Sequence, residues 1–260
     1  GELDAVLQKL VGLKPGIALH GAATLAGTVE ANPAGTVAMD LSLRAENIAA
    51  IEAARRYDID KAIEVKLKGA WDGPTKTLTA DSVSLNSSFA TMTGRGGATA
   101  GGEIRDTSLQ IDADLEKLAG KLRTFLEDPP LLGGTVRADV KAAGQAMSAT
   151  IAFKGLKVET IGPLDATLRH EGNLDTGAHS VRLESGKPAT VQITAQVKKD
   201  DLRADFKAES DLEALIALFP GKMQIKPVGP ATLAGRLVKQ GGRMKIEQGT
   251  LATGAVTAAF

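Results

Sequence analysis

Ile63-Glu64-Val65-Lys66-Leu67-Lys68 alternates aliphatic and charged side chains with period two, the pattern of a strand that buries one face and solvates the other. The same alternation returns at Val191, Ile193, Ala195 and Val197 against Gln192, Thr194, Gln196 and Lys198. It recurs in Val37-Met39-Leu41-Leu43, Val136-Ala138-Val140, Leu164-Ala166-Leu168, Val181-Leu183 and Leu202-Ala204-Phe206. Strands therefore make up the bulk of the 260 residues.

Turn-forming residues separate these runs at short intervals: Asp72-Gly73-Pro74, Ala143-Gly144-Gln145, Asn173 to Gly177, Lys199-Asp200-Asp201 and Gln240-Gly241-Gly242. Loops this short join antiparallel neighbours, whereas a parallel sheet needs helical crossovers. The expected fold is mostly β with a few short helices: a long, curved, twisted antiparallel sheet that leaves an open aliphatic groove. A β-solenoid ranks below it, because no fixed period of about 20–30 residues is visible. A closed sandwich core is the structural alternative for any alternating strand.

Composition narrows the function classes. Thirty-one basic and 31 acidic residues cancel, so long-range attraction to nucleic acid or an anionic membrane is not expected. Cysteine is absent, which removes disulfides, zinc–cysteine sites and thiol nucleophiles. Aromatics are 3% of residues, so Val, Leu, Ile and Ala must fill any interior. Apolar runs such as Ala214 to Phe219 fall far short of the ~20 residues that cross a bilayer. The start at Gly1-Glu2-Leu3-Asp4, without Met or a leader, predicts a segment of a longer protein.

Helical spacing appears in four short stretches that resemble one another. Asp114-Leu115-Glu116-Lys117-Leu118 parallels Asp211-Leu212-Glu213-Ala214-Leu215, and Glu2 to Val6 and Asn47-Ile48-Ala49-Ala50-Ile51 share its apolar spacing of three. Each opens on a residue suited to a helix N-terminus. After the helices, Leu25-Ala26-Gly27-Thr28-Val29, Leu132-Gly133-Gly134-Thr135-Val136 and Leu233-Ala234-Gly235-Arg236-Leu237 restart the strands. Val83-Ser84-Leu85 before Ser88-Phe89-Ala90, and Gly249-Thr250-Leu251 before Thr253-Gly254-Ala255, close the unit. One continuous segment, 1–260, is expected, with irregular repeats starting near 1, 45, 112 and 210 and helices that cap the ends of the sheet.

In these motifs the chain resembles the AsmA-like family of Gram-negative envelopes, which includes TamB-type proteins. The resemblance implies a repeating β-groove whose aliphatic face carries phospholipid acyl chains between inner and outer membranes, without catalysis. It also implies a periplasmic segment held by an inner-membrane helix, which this chain lacks, with envelope membrane proteins as further partners. The groove residues are then Val37, Met39 and Leu41; Ile63, Val65 and Leu67; Val83 and Leu85; and Val136 and Val140. To these are added Ile151 and Phe153; Val181 and Leu183; Val191, Ile193 and Val197; and Leu202 and Phe206. The alternative function is a scaffold that pairs sheet edges with client β proteins.

No cofactor, metal or nucleic acid is expected. His20, His170 and His179 lack the spacing of a zinc site and read as solvated. Asp58-Asp60, Asp112-Asp114 and Asp200-Asp201 read as turn and cap carboxylates, and Gly94-Arg95-Gly96-Gly97 as a turn. Ser84, Ser87 and Ser88 have no histidine nearby in sequence to make them nucleophiles, and Arg55-Arg56-Tyr57 reads as a solvated helix end. A sugar-acting enzyme would need exposed rings, and the chain has one Trp and one Tyr.

Overall fold

A computed structural model describes residues 17–52, 55–122, 131–186, 188–198, 201–218, 229–240, 243–254 and 256–259. Fifteen strands form one open antiparallel sheet in chain order, so each strand's neighbour in sequence is also its hydrogen-bonded neighbour. The chain divides into two compact units, Gly1–Thr135 and Val136–Phe260. The first holds β1 (Ile17–Ala31), β2 (Thr36–Glu52), β3 (Arg55–Asp72), β4 (Thr77–Asn86), β5 (Ala90–Thr99), β6 (Ile104–Asp114) and α1 (Leu115–Leu122). β7 (Leu132–Ala143) straddles the division. The second unit continues with β8 (Ala146–Val158), β9 (Ile161–Asn173), β10 (Ala178–Glu184), β11 (Ala189–Lys198) and β12 (Asp201–Asp211). It ends with α2 (Leu212–Ile216), β13 (Pro230–Gln240), β14 (Arg243–Thr253) and β15 (Thr257–Ala259). The mostly-β antiparallel fold expected from alternation is thus observed. No helix among the described residues is long and apolar enough to cross a membrane.

The helices start where Asp side chains can cap them. Asp114 Oδ1 accepts the Lys117 N–H at 3.0 Å, and Asp211 Oδ1 accepts the Ala214 N–H at 3.1 Å. That backbone bond, with the Lys117 ammonium beside it, holds the Asp114 carboxyl below its ordinary range. From β6, α1 returns to β3: Lys121 Nζ donates to the Asp58 carbonyl at 3.1 Å. Eight residues of helix span about 12 Å and three strand spacings about 14 Å, so α1 lies across one end of four strands. Its buried residues are Leu115 and Ala119, one turn apart. In the second unit, the Gly162 N–H of β9 donates to the Leu218 carbonyl just past α2, again three strands back.

The same end of each unit carries a hydroxyl-clamped turn. Ser87 Oγ donates to the Ala90 carbonyl and accepts the Ala90 N–H, both at 2.9 Å. Ser185 repeats this with Ala189, and Thr253 with Val256. Beside the first clamp, Asp60 is 6% exposed and accepts both the N–H and the hydroxyl of Ser88, at 2.8 and 3.0 Å. Burial opposes ionisation of Asp60, but the Ser88 bonds and the Ala62 and Lys61 N–H groups outweigh it and lower the carboxyl's pKa.

Several sequence expectations are corrected here. Asn47 to Ile51 is strand, not helix: Ala49 and Ala50 pair with Asp58 and Tyr57 of β3 and are completely buried. Asn47 takes φ +52° at an irregularity in the ladder, which lets β2 bend and continue. Arg55-Arg56-Tyr57 accordingly opens β3 rather than ending a helix, and Leu25 to Val29 lies inside β1 rather than restarting a strand. Gly94 to Gly97 is the interior of β5; a Cβ at Gly94 would come 2.7 Å from the Ser108 carbonyl, so the strands approach too closely there for a side chain. One helix-and-clamp pair recurs in each unit, while the third clamp, at Thr253, follows Ser185 by only 68 residues. The two described helices follow caps at 114 and 211, and their clamps stand at 87 and 185, giving spacings of 97 and 98 residues. The expected helix at Glu2 to Val6 lies outside the described residues.

Candidate functional site

Antiparallel register aligns directly opposed residues on one face, so the alternation of single strands becomes rows across the sheet. In the first unit, one row runs Leu25, Leu43, Val65, Leu85, Met92, Ile111 through six strands. The adjacent row runs Gly27, Leu41, Leu67, Val83, Gly94, Leu109. Val37 stands opposite Trp71, which stands opposite Leu78; Met39 faces Gly69, and Ile63 faces Ala45. All eight groove residues expected in this unit therefore share one face.

The second unit repeats the arrangement. Ile151, Leu168, Leu183, Val191, Ala208 and Leu233 form one row across β8 to β13, and Ala149, His170, Val181, Ile193, Phe206 and Gly235 form the next. Phe153 faces Ala166, and Val197 faces Leu202. On β7, Val136 and Val140 share a face by alternation and are half-buried. Glycines let neighbouring rings lie down on this face: a Cβ at Gly235 would come 2.8 Å from Phe206 Cζ.

The opposite face is charged and paired within itself. Glu64 and Lys66, Arg182 and Glu184, Lys207 and Glu209, and Lys245 and Glu247 each meet two residues apart on one strand, at 2.5–3.1 Å. Two cross-strand bridges join them, Arg169 with Glu184 at 2.8 Å and Arg236 with Asp205 at 2.6 Å. The Asp205 bond raises the Arg236 pKa, and the Lys245 bond lowers that of Glu247. Such exposed pairs contribute little to stability, so this side is a solvated face.

The apolar face, by contrast, is not closed over. Among the described residues no large side chain is fully buried, while Leu25 is 69% and Val29 63% exposed. Leu43, Leu78 and Leu233 on this face are each 38–43% exposed. Open depressions in the second unit lie by the Ser185 turn; one is lined by Phe153 and Ala166 together with Thr167, Glu184 and Thr190, the other by Thr190, Glu209 and Thr232 among others.

The histidines differ from expectation. His20 is exposed, but His170 and His179 are half-buried on the apolar face and meet across β9 and β10. Their Nε2 and Nδ1 atoms are 3.2 Å apart; the ring centroids are 5.4 Å apart with planes 13° from parallel. Since the centroid distance exceeds the nitrogen separation by about one ring's width, the rings meet edge to edge through an N–H···N bond rather than face to face. The linear sequence hides this pair because nine residues separate them. The readable signal is the Asn173 to Gly177 turn, whose hairpin sets Gly172 opposite His179.

The carboxylates and serines take structural roles. Asp60 and Asp114 anchor a turn and a helix, Asp112 accepts from Gln110, and Ser87 clamps its turn. Asp200 lies outside the described residues. No protein-family model, curated protein or solved structure matches the chain.

Proposed function

We propose that the apolar face binds phospholipid acyl chains and that the protein is a non-catalytic lipid-handling segment of a cell envelope, moving phospholipid between inner and outer membranes. The observation that supports this reading is the pair of largely aliphatic rows in each unit, six strands wide, left half-exposed beside a charge-paired reverse face. A chain laid on such a face is covered on one side only. At about half of the ~0.8 kcal/mol per buried methylene, fourteen methylenes yield ~6 kcal/mol, a dissociation constant on the order of 10–100 μM per chain. Acyl chains require no hydrogen bonds, and both rows of the first unit carry no polar side chain, while His170 is the one polar member of the second unit's rows. Headgroups stay in water, so headgroup selectivity is low. The motif resemblance to AsmA-like proteins points the same way and supplies the periplasmic setting.

Native mass spectrometry of protein gently extracted from membranes tests this. Phospholipid adducts are expected on the wild type, lost in Val65→Asp and Ile193→Asp, and retained in Lys66→Asp on the opposite face. Lipid-free wild-type spectra, or adducts indifferent to which face is altered, overturn it. Co-purified β-rich protein without lipid would favour a scaffold that pairs its edge strands.

A further inference from the structure

We infer that His170 and His179 form a two-imidazole site for a first-row divalent transition-metal ion, with Cu²⁺ and Zn²⁺ as the ions it fits. Zinc–imidazole bonds of ~2.0–2.1 Å at a tetrahedral angle place two nitrogens about 3.3 Å apart. The facing nitrogens stand at 3.2 Å without any ion, so the strands hold the rings at the required spacing, and a tilt of about 35° per ring turns each nitrogen from its neighbour toward a shared ion. In the metal-free pair one ring donates its N–H and the other accepts. On binding, that proton leaves for solvent and one returns to the far nitrogen of the same ring. The ion then meets two neutral imidazoles with no net proton released.

The surroundings select the class of ion. The residues opposite or flanking the pair on this face are Ala149, Gly172, Val181 and Ala195, with no carboxylate among them. Calcium and magnesium, which need several oxygen ligands, are therefore disfavoured. Met147 stands directly opposite Gly172, on the same face as both rings, and a thioether is a soft donor suited to the same ions. Gly172 is part of the site: a Cβ there would come 2.5 Å from His179 Nδ1 and displace the ring. Imidazole sites of this kind favour Cu²⁺ over Zn²⁺.

Titration of the whole chain with Cu²⁺, read by electron paramagnetic resonance, tests the site independently of lipid binding. One tight equivalent with hyperfine splitting from two nitrogens is expected, together with competition by Zn²⁺ and none by Mg²⁺. His170→Gln and His179→Gln should each drop the pattern to a single nitrogen and weaken binding by at least roughly tenfold. His20→Gln should leave it unchanged. A one-nitrogen spectrum in the wild type, or loss of binding only with His20→Gln, overturns the inference. The wild-type spectrum decides the matter even if a variant fails to fold.

Discussion

Replacing Asp60 by alanine removes the acceptor of two bonds from Ser88 and a longer one from the Ala62 N–H at 3.4 Å. Hydrogen bonds to a charged acceptor are worth ~1.5–3 kcal/mol each, so the gross loss approaches 5 kcal/mol. Two effects reduce it. Ser88 is exposed, so its N–H and hydroxyl find water once Asp60 is gone, and the variant no longer desolvates a carboxylate. A net destabilisation of ~2 kcal/mol remains. With a urea slope of about 1–3 kcal/mol per molar, the unfolding midpoint of the first unit should fall by ~1 M. Trp71 is the only tryptophan and lies on the same strand as Asp60, so its fluorescence reports this unit alone.

The pH dependence has a definite sign. The folded pKa of Asp60 lies below its unfolded value of ~3.9, so the stabilisation is full above that value. It is lost as pH falls through the folded pKa. The gap between wild type and Asp60→Ala should therefore be constant near neutrality and narrow below about pH 4. An unchanged midpoint at neutral pH, or a gap that persists undiminished into strong acid, refutes this account of the clamp.

Asp114→Ala should cost ~1 kcal/mol through loss of the α1 cap, seen as faster hydrogen exchange confined to α1 and the neighbouring Asp58 region. A double-mutant cycle on Arg236 and Asp205 should return a coupling below ~1 kcal/mol that shrinks further in salt, because the pair sits on the exposed face. Gly235→Ala should destabilise the second unit, since its methyl group meets the Phe206 ring at 2.8 Å; adding Phe206→Leu should restore part of the loss in thermal melts.

The strand faces were legible because strict alternation is a one-strand property, and register needs only the short turns to align Val65 with Leu43 and Leu85. Asn47 to Ile51 was not. Its spacing of three suits a helix, but two alanines fit a crowded position between β1 and β3, and Asn47 supplies the left-handed residue that keeps the strand going. Gly94 to Gly97 failed for a similar reason: glycine there answers close backbone approach from a partner strand, which no local window contains. The histidine pair required counting across a hairpin rather than along the chain.

Pairing in chain order also bears on how such a chain acquires its structure. Within each unit, most strands join the sheet by closing a turn of a few residues onto the strand just before, so the entropic cost of those additions is that of a short loop; β13 closes a longer one, residues 212–229. No strand waits for a distant segment. A chain emerging N-terminus first from a ribosome or a translocation pore can zip up hairpin by hairpin, and each arrival covers the open edge left by its predecessor. Among the described residues each unit is a single sheet layer, so the partly emerged sheet already has the local architecture of the finished one. The serine and threonine clamps each lock the turn of one hairpin through local bonds alone, which need no later strand to form.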